Sequence, residues 1–174
     1  MKKYILIGIP NSGKSTLGRR AAEKLRLPFY DTDEMVCDKV SNPLDLFRMS
    51  LNGQFLEEQK KIISKLAKLK GGAIISTGAE VALIPECAAL MKTMGTVIHI
   101  QRKPDTLLAE YKKSGKRGMV MKENGGKEID MQEEAIKLYA EEHSQYEALA
   151  DLPLENDGTE DEGLEKLLKL LENI

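Results

Sequence analysis

This sequence has few cysteines, a nearly balanced charge and no long apolar run. Among 174 residues there are two cysteines, Cys37 and Cys87, and neither has a cysteine or histidine partner at metal-ligand spacing. The 26 Lys+Arg nearly balance the 28 Asp+Glu. No run approaches the roughly 18 apolar residues of a membrane-spanning helix. We therefore expect two buried free thiols, a cytoplasmic location, and no nucleic acid or membrane as partner.

The length predicts one domain, residues 1–174, which we expect to be a monomer. Short β-rich runs alternate with helical patterns along it, as in a mostly parallel sheet covered by helices on both faces. The predicted strands are Tyr4–Ile9, Phe29–Tyr30, Ala73–Ile75, Thr96–Ile100 and Leu152–Leu154. The predicted helices are Lys14–Leu25, Gln54–Leu69, Ile84–Met94, Thr106–Lys112, Met131–Leu149 and Gly163–Leu171. The fold class is therefore α/β.

One segment, residues 112–127, shows neither the periodicity of a helix nor that of a strand. It contains four glycines and six basic residues. Glycines supply hinges and basic side chains bind anions, so the segment suits a mobile lid over a phosphate ligand, at about residues 112–128. A solvated charged loop is the alternative.

The most specific motif follows the first strand. Residues 8–15, GIPNSGKS, fit the P-loop pattern G-x-x-x-x-G-K-[ST] between a strand and a helix. In such a loop backbone N–H groups surround the phosphates, Lys14 reaches the β- and γ-phosphates, and the Ser15 hydroxyl coordinates Mg²⁺. The predicted nucleotide-binding residues are Gly8, Asn11, Ser12, Gly13, Lys14, Ser15 and Thr16.

A P-loop alone does not separate kinases from other nucleotide-binding proteins. The acids nearest to it in the predicted sheet are Asp31 and Asp33, at the end of the second strand. We expect Asp31 to orient Mg²⁺ and Asp33 to hold or deprotonate an acceptor hydroxyl. The alternative for Asp33 is a cap on the next helix.

Together these segments resemble the shikimate kinase family. The resemblance rests on GIPNSGKST, FYDTD, a strand ending in STG, the basic residues 116–119 and YEALAD, which follow one another through nearly the whole chain. It implies a three-layer α/β/α sandwich with a five-stranded parallel sheet, similar to nucleoside monophosphate kinases, a closing lid, and MgATP as phosphoryl donor. Lys14, Ser15, Asp31 and Asp33 match family positions, and Arg117 matches the arginine that opens the family's lid motif, although Gly-Met-Val follows it here.

The predicted acceptor site departs from the family. Leu56 stands where the family has an arginine that binds the substrate carboxylate, and Glu142 replaces a second arginine. The family's three glycines after the third strand correspond to Gly78, Ala79 and Glu80, so the first is kept and two are replaced. Neither Leu nor Glu can replace the bidentate pairing of arginine with a carboxylate. A lid-side arginine is also replaced, by Glu110.

Three functions remain open. The first is a kinase of a small hydroxyl compound other than shikimate, neutral or amine-bearing, whose acceptor site includes Asp33, Leu56, Gly78–Glu80, Arg117 and Glu142. The second is a divergent shikimate kinase that uses other residues, with Arg48 or His143 as candidates. The third is a nucleotide-binding regulator without kinase activity. Glu80 has a simpler alternative as a solvated loop acid, and we expect His99 to be a hydrogen-bonded core histidine.

Overall fold

A five-stranded parallel sheet lies at the centre of the structure. The structure is a computed structural model that describes residues 2–113, 120–122, 128–141 and 143–174. Along the chain the strands are β1 (Lys3–Ile7), β2 (Phe29–Asp31), β3 (Ala73–Ser76), β4 (Thr96–Gln101), β5 (Val120–Lys122), β6 (Glu128–Asp130) and β7 (Leu152–Glu155). The main sheet has the order β2-β3-β1-β4-β7. This places the P-loop, which follows β1, in the middle of the sheet.

Helices cover both faces of this sheet. They are α1 (Lys14–Leu25), α2 (Thr32–Cys37), α3 (Pro43–Leu51), α4 (Gln54–Lys68), α5 (Ala79–Ala82), α6 (Pro85–Met94), α7 (Pro104–Lys113), α8 (Met131–Glu141), α9 (His143–Leu149) and α10 (Glu160–Glu172). None of the helices in the described part of the chain is long and apolar enough to cross a membrane.

The apolar residues of β1 alternate between two cores. Leu6 packs with α1 and α10, through side chains such as Leu17 and Leu167. Ile5 and Ile7 pack on the opposite face, with side chains from α4, α6 and α9. All three β1 residues are fully buried, which is worth roughly 1.5–3 kcal/mol for each side chain. The predicted three-layer α/β/α sandwich with five parallel strands is therefore confirmed.

Several predicted elements differ from the structure. No bounds are predicted from the sequence for α2 and α3, although Asp33 is considered there as a helix cap and Arg48 is expected on a helix. No residue of α3 is buried, so no core position marks it. The predicted helix Met131–Leu149 is two helices, α8 and α9, on either side of residue 142. The capping box of Thr159 and Glu162 starts α10 three residues before the predicted Gly163.

Two further differences concern the lid segment and a thiol. β5 and β6 pair antiparallel in a region where no strand was expected, because glycines and charged residues surround both strands. The boundaries of the lid remain a prediction.

Cys87 is buried as expected, but Cys37 is exposed, since it is the last residue of α2 and lies on its outer side.

Candidate active site

The P-loop wraps around the side chain of its own lysine. The Lys14 Nζ donates to the carbonyl oxygens of Gly8 and Ile9, at 2.9 and 2.8 Å. Burial lowers the pKa of Lys14 to about 8, an effect opposed by the nearby acids Asp33 and Asp31. The loop thus holds the lysine side chain close to two carboxylates that offset its charge. In this position the lysine can bind a phosphate group.

The loop conformation explains its first glycine. Gly8 has φ +141°, and a Cβ there would lie 2.5 Å from the Ile100 carbonyl oxygen of β4. A side chain at this position is therefore excluded by both backbone conformation and space. α1 begins at Lys14, directly after this loop, and no side chain of its N-cap Gly13 occupies the helix N-terminus, a place where anions bind.

A cavity of about 410 Å³ lies at this helix N-terminus. Its lining includes Asn11, Gly13, Lys14, Ser15 and Thr16 from the predicted nucleotide site. The opposite wall comprises residues that the sequence reading did not single out, Arg102, Asn156, Gly158 and Glu160. Ser12 differs from these residues because it is fully buried and does not line the cavity. Its N–H donates to the Ile9 carbonyl oxygen, so its predicted contact with the nucleotide stays a prediction.

Oxygen ligands for a divalent cation meet beside the loop. The Ser15 hydroxyl donates to Asp31 Oδ2 at 2.5 Å and lies 3.2 Å from the Ser76 hydroxyl. Strand register explains this meeting, because Asp31 and Ser76 are paired at the ends of β2 and β3. Among the described residues no three His, Cys, Asp or Glu side chains form a preformed metal cluster. The set suits Mg²⁺, which binds through few protein ligands together with water and substrate phosphates.

Asp31 also caps the following helix. Its Oδ1 accepts from the backbone N–H groups of Asp33 and Glu34, at 3.0 and 3.2 Å. The cap on α2 is therefore Asp31, and the alternative that Asp33 is this cap is wrong. This leaves the Asp33 carboxyl available for another role.

The Asp33 carboxyl lies in a small polar cluster. The Gln59 side-chain amide of α4 donates to Asp33 Oδ1. Desolvation of the carboxyl within this cluster and the charge of Asp31 together raise the pKa of Asp33 to about 6 against the opposing charge of Lys14, although the residue as a whole is exposed. At neutral pH the carboxyl is therefore mostly ionised yet close to the pH at which it takes up a proton.

Gly78 closes this cluster. A Cβ on Gly78 would lie 2.4 Å from Gln59 Nε2 and 2.6 Å from Asp33 Oδ1. Its backbone N–H donates to the Thr32 hydroxyl at 2.9 Å, which ties the segment after β3 to the start of α2. The predicted neighbours Asp33 and Gly78 are thus brought together.

Gln59 was not predicted, although the sequence contains a signal for it. It lies on the stripe of α4 that otherwise carries Phe55, Ile62, Ile63 and Leu66, and it is 3% exposed. A polar residue on a buried helical stripe needs a hydrogen-bond partner. The partner here is the carboxylate of the predicted site.

The other predicted acceptor residues have different surroundings. Leu56 and Ala79 are half-buried and pack against the apolar core that contains Ile63 and Val81. Glu80 is exposed in the first turn of α5. Arg117 and Glu142 lie outside the described residues.

The candidate rescue residues and His99 can also be located. Arg48 is exposed and pairs with Asp45 at 3.1 Å, as expected for a solvated charge. His143 Nε2 lies 3.2 Å from Glu147 Oε1, and the His143 ring centroid is 5.0 Å from that of His99. His99 is buried as predicted, and within the described part of the chain its Nδ1 has no hydrogen-bond partner. Burial, together with the smaller effects of His143 and Lys14, lowers the pKa of His99 to about 4, so the ring is neutral at pH 7.

Comparison with known proteins gives a consistent result. A profile of the family described as shikimate kinase matches residues 10–172. A shikimate kinase of Caldicellulosiruptor saccharolyticus is 33% identical over 128 residues, 73% of each chain. One of Neisseria meningitidis serogroup C is 31% identical over 170 residues, covering 97% of this chain and 95% of that protein.

Solved structures show the same fold. Shikimate kinase from Aquifex aeolicus superimposes with a TM-score of 0.74 at 26% identity, over 98% of this chain and 96% of that chain. Shikimate kinase from Acinetobacter baumannii, in complex with shikimate, has a TM-score of 0.78 at 20% identity, over 99% and 94%. The second likeness concerns the fold alone.

Proposed function

Because the chain belongs to the shikimate kinase family, and is thus an ATP- and Mg²⁺-dependent small-molecule kinase, we propose that it phosphorylates a hydroxyl compound without a carboxylate. The acceptor would be neutral or carry an amine. The observation that carries this proposal is the environment of Asp33, where, among the residues that the structure describes, the neutral amide of Gln59 is the side chain that donates to the carboxyl. Leu56, at the position of a carboxylate-binding arginine in the family, packs into an apolar core.

The proposed reaction uses Asp33 as the proton acceptor. The acceptor hydroxyl loses its proton to Asp33, its oxygen forms a bond to the γ-phosphorus, and the bond from that phosphorus to the β–γ bridging oxygen breaks to release ADP. Lys14 and Arg117 would stabilise the charge on the transferred group. Mg²⁺, when bound near Ser15 and Asp31, supplies further neutralisation of the phosphate charge.

Shikimate itself is the second candidate. The named relatives at 31–33% identity are shikimate kinases, which favours the same acceptor here. In that case the carboxylate would be bound by residues other than those at positions 56 and 142. Arg117 is one cation of the predicted site that could take part.

The test is ADP release measured with shikimate, neutral polyols and amino alcohols at matched concentrations. We expect kcat/KM for shikimate to be at least about 100-fold below that for the best acceptor, since arginine–carboxylate pairs are strong charge-assisted contacts. Shikimate as the preferred acceptor would overturn the proposal and establish the second candidate. A preferred acceptor that carries a carboxylate would overturn it as well.

Two sets of variants sharpen the result. The double substitution of Leu56→Arg and Glu142→Arg should raise kcat/KM for shikimate. For an amine-bearing acceptor, Glu80→Gln should raise KM, whereas Glu86→Gln, on an exposed position of the neighbouring α6, should leave it unchanged. Equal effects of the two glutamate substitutions would assign Glu80 to the solvated surface.

A further inference from the structure

Asn156, the residue directly after β7, contacts the P-loop although more than 140 residues separate the two in sequence. Its side-chain Nδ2 donates to the Ser12 carbonyl oxygen at 2.8 Å. Its backbone N–H donates to the Gln101 carbonyl oxygen of β4 at 2.8 Å. The side chain is 6% exposed, so this amide is held in place by the sheet and buried against the loop.

Two glycines make room for this side chain. A Cβ on Gly13 would lie 2.4 Å from Asn156 Nδ2, and a Cβ on Gly163 would lie 2.3 Å from Asn156 Oδ1. Gly163 lies inside α10, where glycine costs roughly 0.5–1 kcal/mol relative to alanine. The amide thus occupies a slot between the P-loop and α10 that both glycines keep open.

The contact has a consequence for phosphate binding. In a trans peptide the C=O and the following N–H point in opposite directions. Since the Ser12 C=O is held against Asn156, the Gly13 N–H is turned to the opposite side of that peptide. We propose that Asn156 is a positioning residue, which fixes the Ser12–Gly13 peptide so that its N–H donates to a phosphate oxygen of the nucleotide.

The position of the cavity supports this role. Asn156 lines the same cavity of about 410 Å³ as Gly13, Lys14 and Ser15. A residue in that wall could serve the nucleoside part of the ligand instead. Inorganic triphosphate, which has no base or ribose, distinguishes the two roles.

The experiment compares wild type with Asn156→Asp. The substitution keeps the shape of the side chain but places a carboxylate oxygen against the Ser12 carbonyl oxygen, so the peptide is no longer held. We expect the Kd values of Mg·ATP and Mg·triphosphate, measured by calorimetry, to rise by the same factor, about tenfold to hundredfold. Loss of affinity for Mg·ATP alone would overturn the proposal, as would unchanged affinity for both.

The chain offers a matched control in Asn173→Asp. Asn173 Nδ2 also donates to a backbone carbonyl, that of Lys169 at 2.7 Å, but at the exposed end of α10. This variant should bind both ligands like wild type. If Asn156→Asp does not fold, wild-type NMR decides: Mg·triphosphate should shift the Gly13 amide proton strongly downfield. An unshifted Gly13 amide proton would refute the role of this peptide.

Discussion

At the scale of single residues, Asp33 and its contacts determine how the site handles a proton. The carboxyl is bound by Gln59, lies against Gly78, and has a pKa raised to about 6. A base near its pKa can take a proton from a hydroxyl and release it again after transfer. The role of Asp33 as a base, its pH dependence and the effect of its hydrogen bond with Gln59 can therefore be measured separately.

Replacing Asp33 with Asn should remove the proton acceptor and leave the nucleotide site intact. We expect kcat to fall by about 10²–10⁴-fold, the usual contribution of a general base, with little change in the Kd of Mg·ATP. Steady-state kinetics and calorimetry on the same preparation provide both numbers. Turnover close to wild type would exclude Asp33 as base.

The raised pKa also predicts the pH dependence. Asp33 must be ionised to accept a proton, so kcat/KM for the acceptor should rise as the pH increases through about 6 and then level off. For stability the sign is opposite. The folded protein holds this proton more tightly than an unfolded Asp of pKa 3.8, so ionisation of Asp33 lowers stability as pH rises between those values. A pH–rate profile and urea unfolding at pH 4–7 check the two statements.

Gln59 should tune that pH dependence. Its amide donates to the ionised carboxyl, which favours the charged form, so Gln59→Leu should move the acidic limb of the profile to higher pH. The matched control is Gln145→Leu, at an exposed position of α9. A limb that stays at the wild-type pH in Gln59→Leu would show that Gln59 has no effect on the proton affinity of Asp33.

At the scale of elements, one side chain joins three parts of the structure. Asp31 ends β2, caps α2 through its Oδ1, and accepts from Ser15 of α1 through its Oδ2. Because one oxygen serves the helix and the other the predicted metal site, the structural and the chemical role can be separated by substitution.

Asp31→Ser and Asp31→Ala should therefore have different effects on stability. Serine is a good N-cap, so the serine variant should unfold with nearly the wild-type free energy, whereas alanine should lose about 1 kcal/mol. Both variants lack the carboxylate, so both should need more Mg²⁺ for half-maximal activity. Urea unfolding and a Mg²⁺ titration of ADP release test this. A wild-type Mg²⁺ requirement in both would remove Asp31 from the metal site.

At the scale of the whole molecule, the ligand site is formed by segments that lie far apart in sequence. β1 lies between β3 and β4, so the loop that follows it is within reach of residues from both sides of the sheet. Ser76 of β3 lies beside Ser15. Asn156, whose N–H donates to the Gln101 carbonyl oxygen of β4, donates through its side chain to the Ser12 carbonyl oxygen of the loop. Nucleotide binding should consequently stabilise the entire fold.

We expect MgATP at about 100 times its Kd to stabilise the protein by about 2.7 kcal/mol. For a domain of this size that corresponds to a rise of about 5–10 °C in the melting temperature. Lys14→Ala should abolish most of the rise, because it removes the charge beneath the phosphates. A full shift in that variant would contradict the role of Lys14.

The sequence by itself determined the five strands of the main sheet, several of the longer helices and the phosphate chemistry. Short apolar runs located the five sheet strands, because strands covered on both faces carry apolar residues nearly throughout, and the helical period located α1. The P-loop is equally local, since its glycines, Lys14 and Ser15 act within eight consecutive residues. Asp31 and Asp33 followed from their position after a strand.

Only the tertiary structure decided which side chains meet. Gln59 lies 26 residues from Asp33, and Asn156 lies 144 residues from Ser12, so no local pattern relates them. The division of roles between Asp31 as the cap and Asp33 as the free carboxyl also required atomic positions. Contacts of this kind depend on strand order and register. Both arise from the packing of the whole chain, so the sequence of a single segment does not determine them.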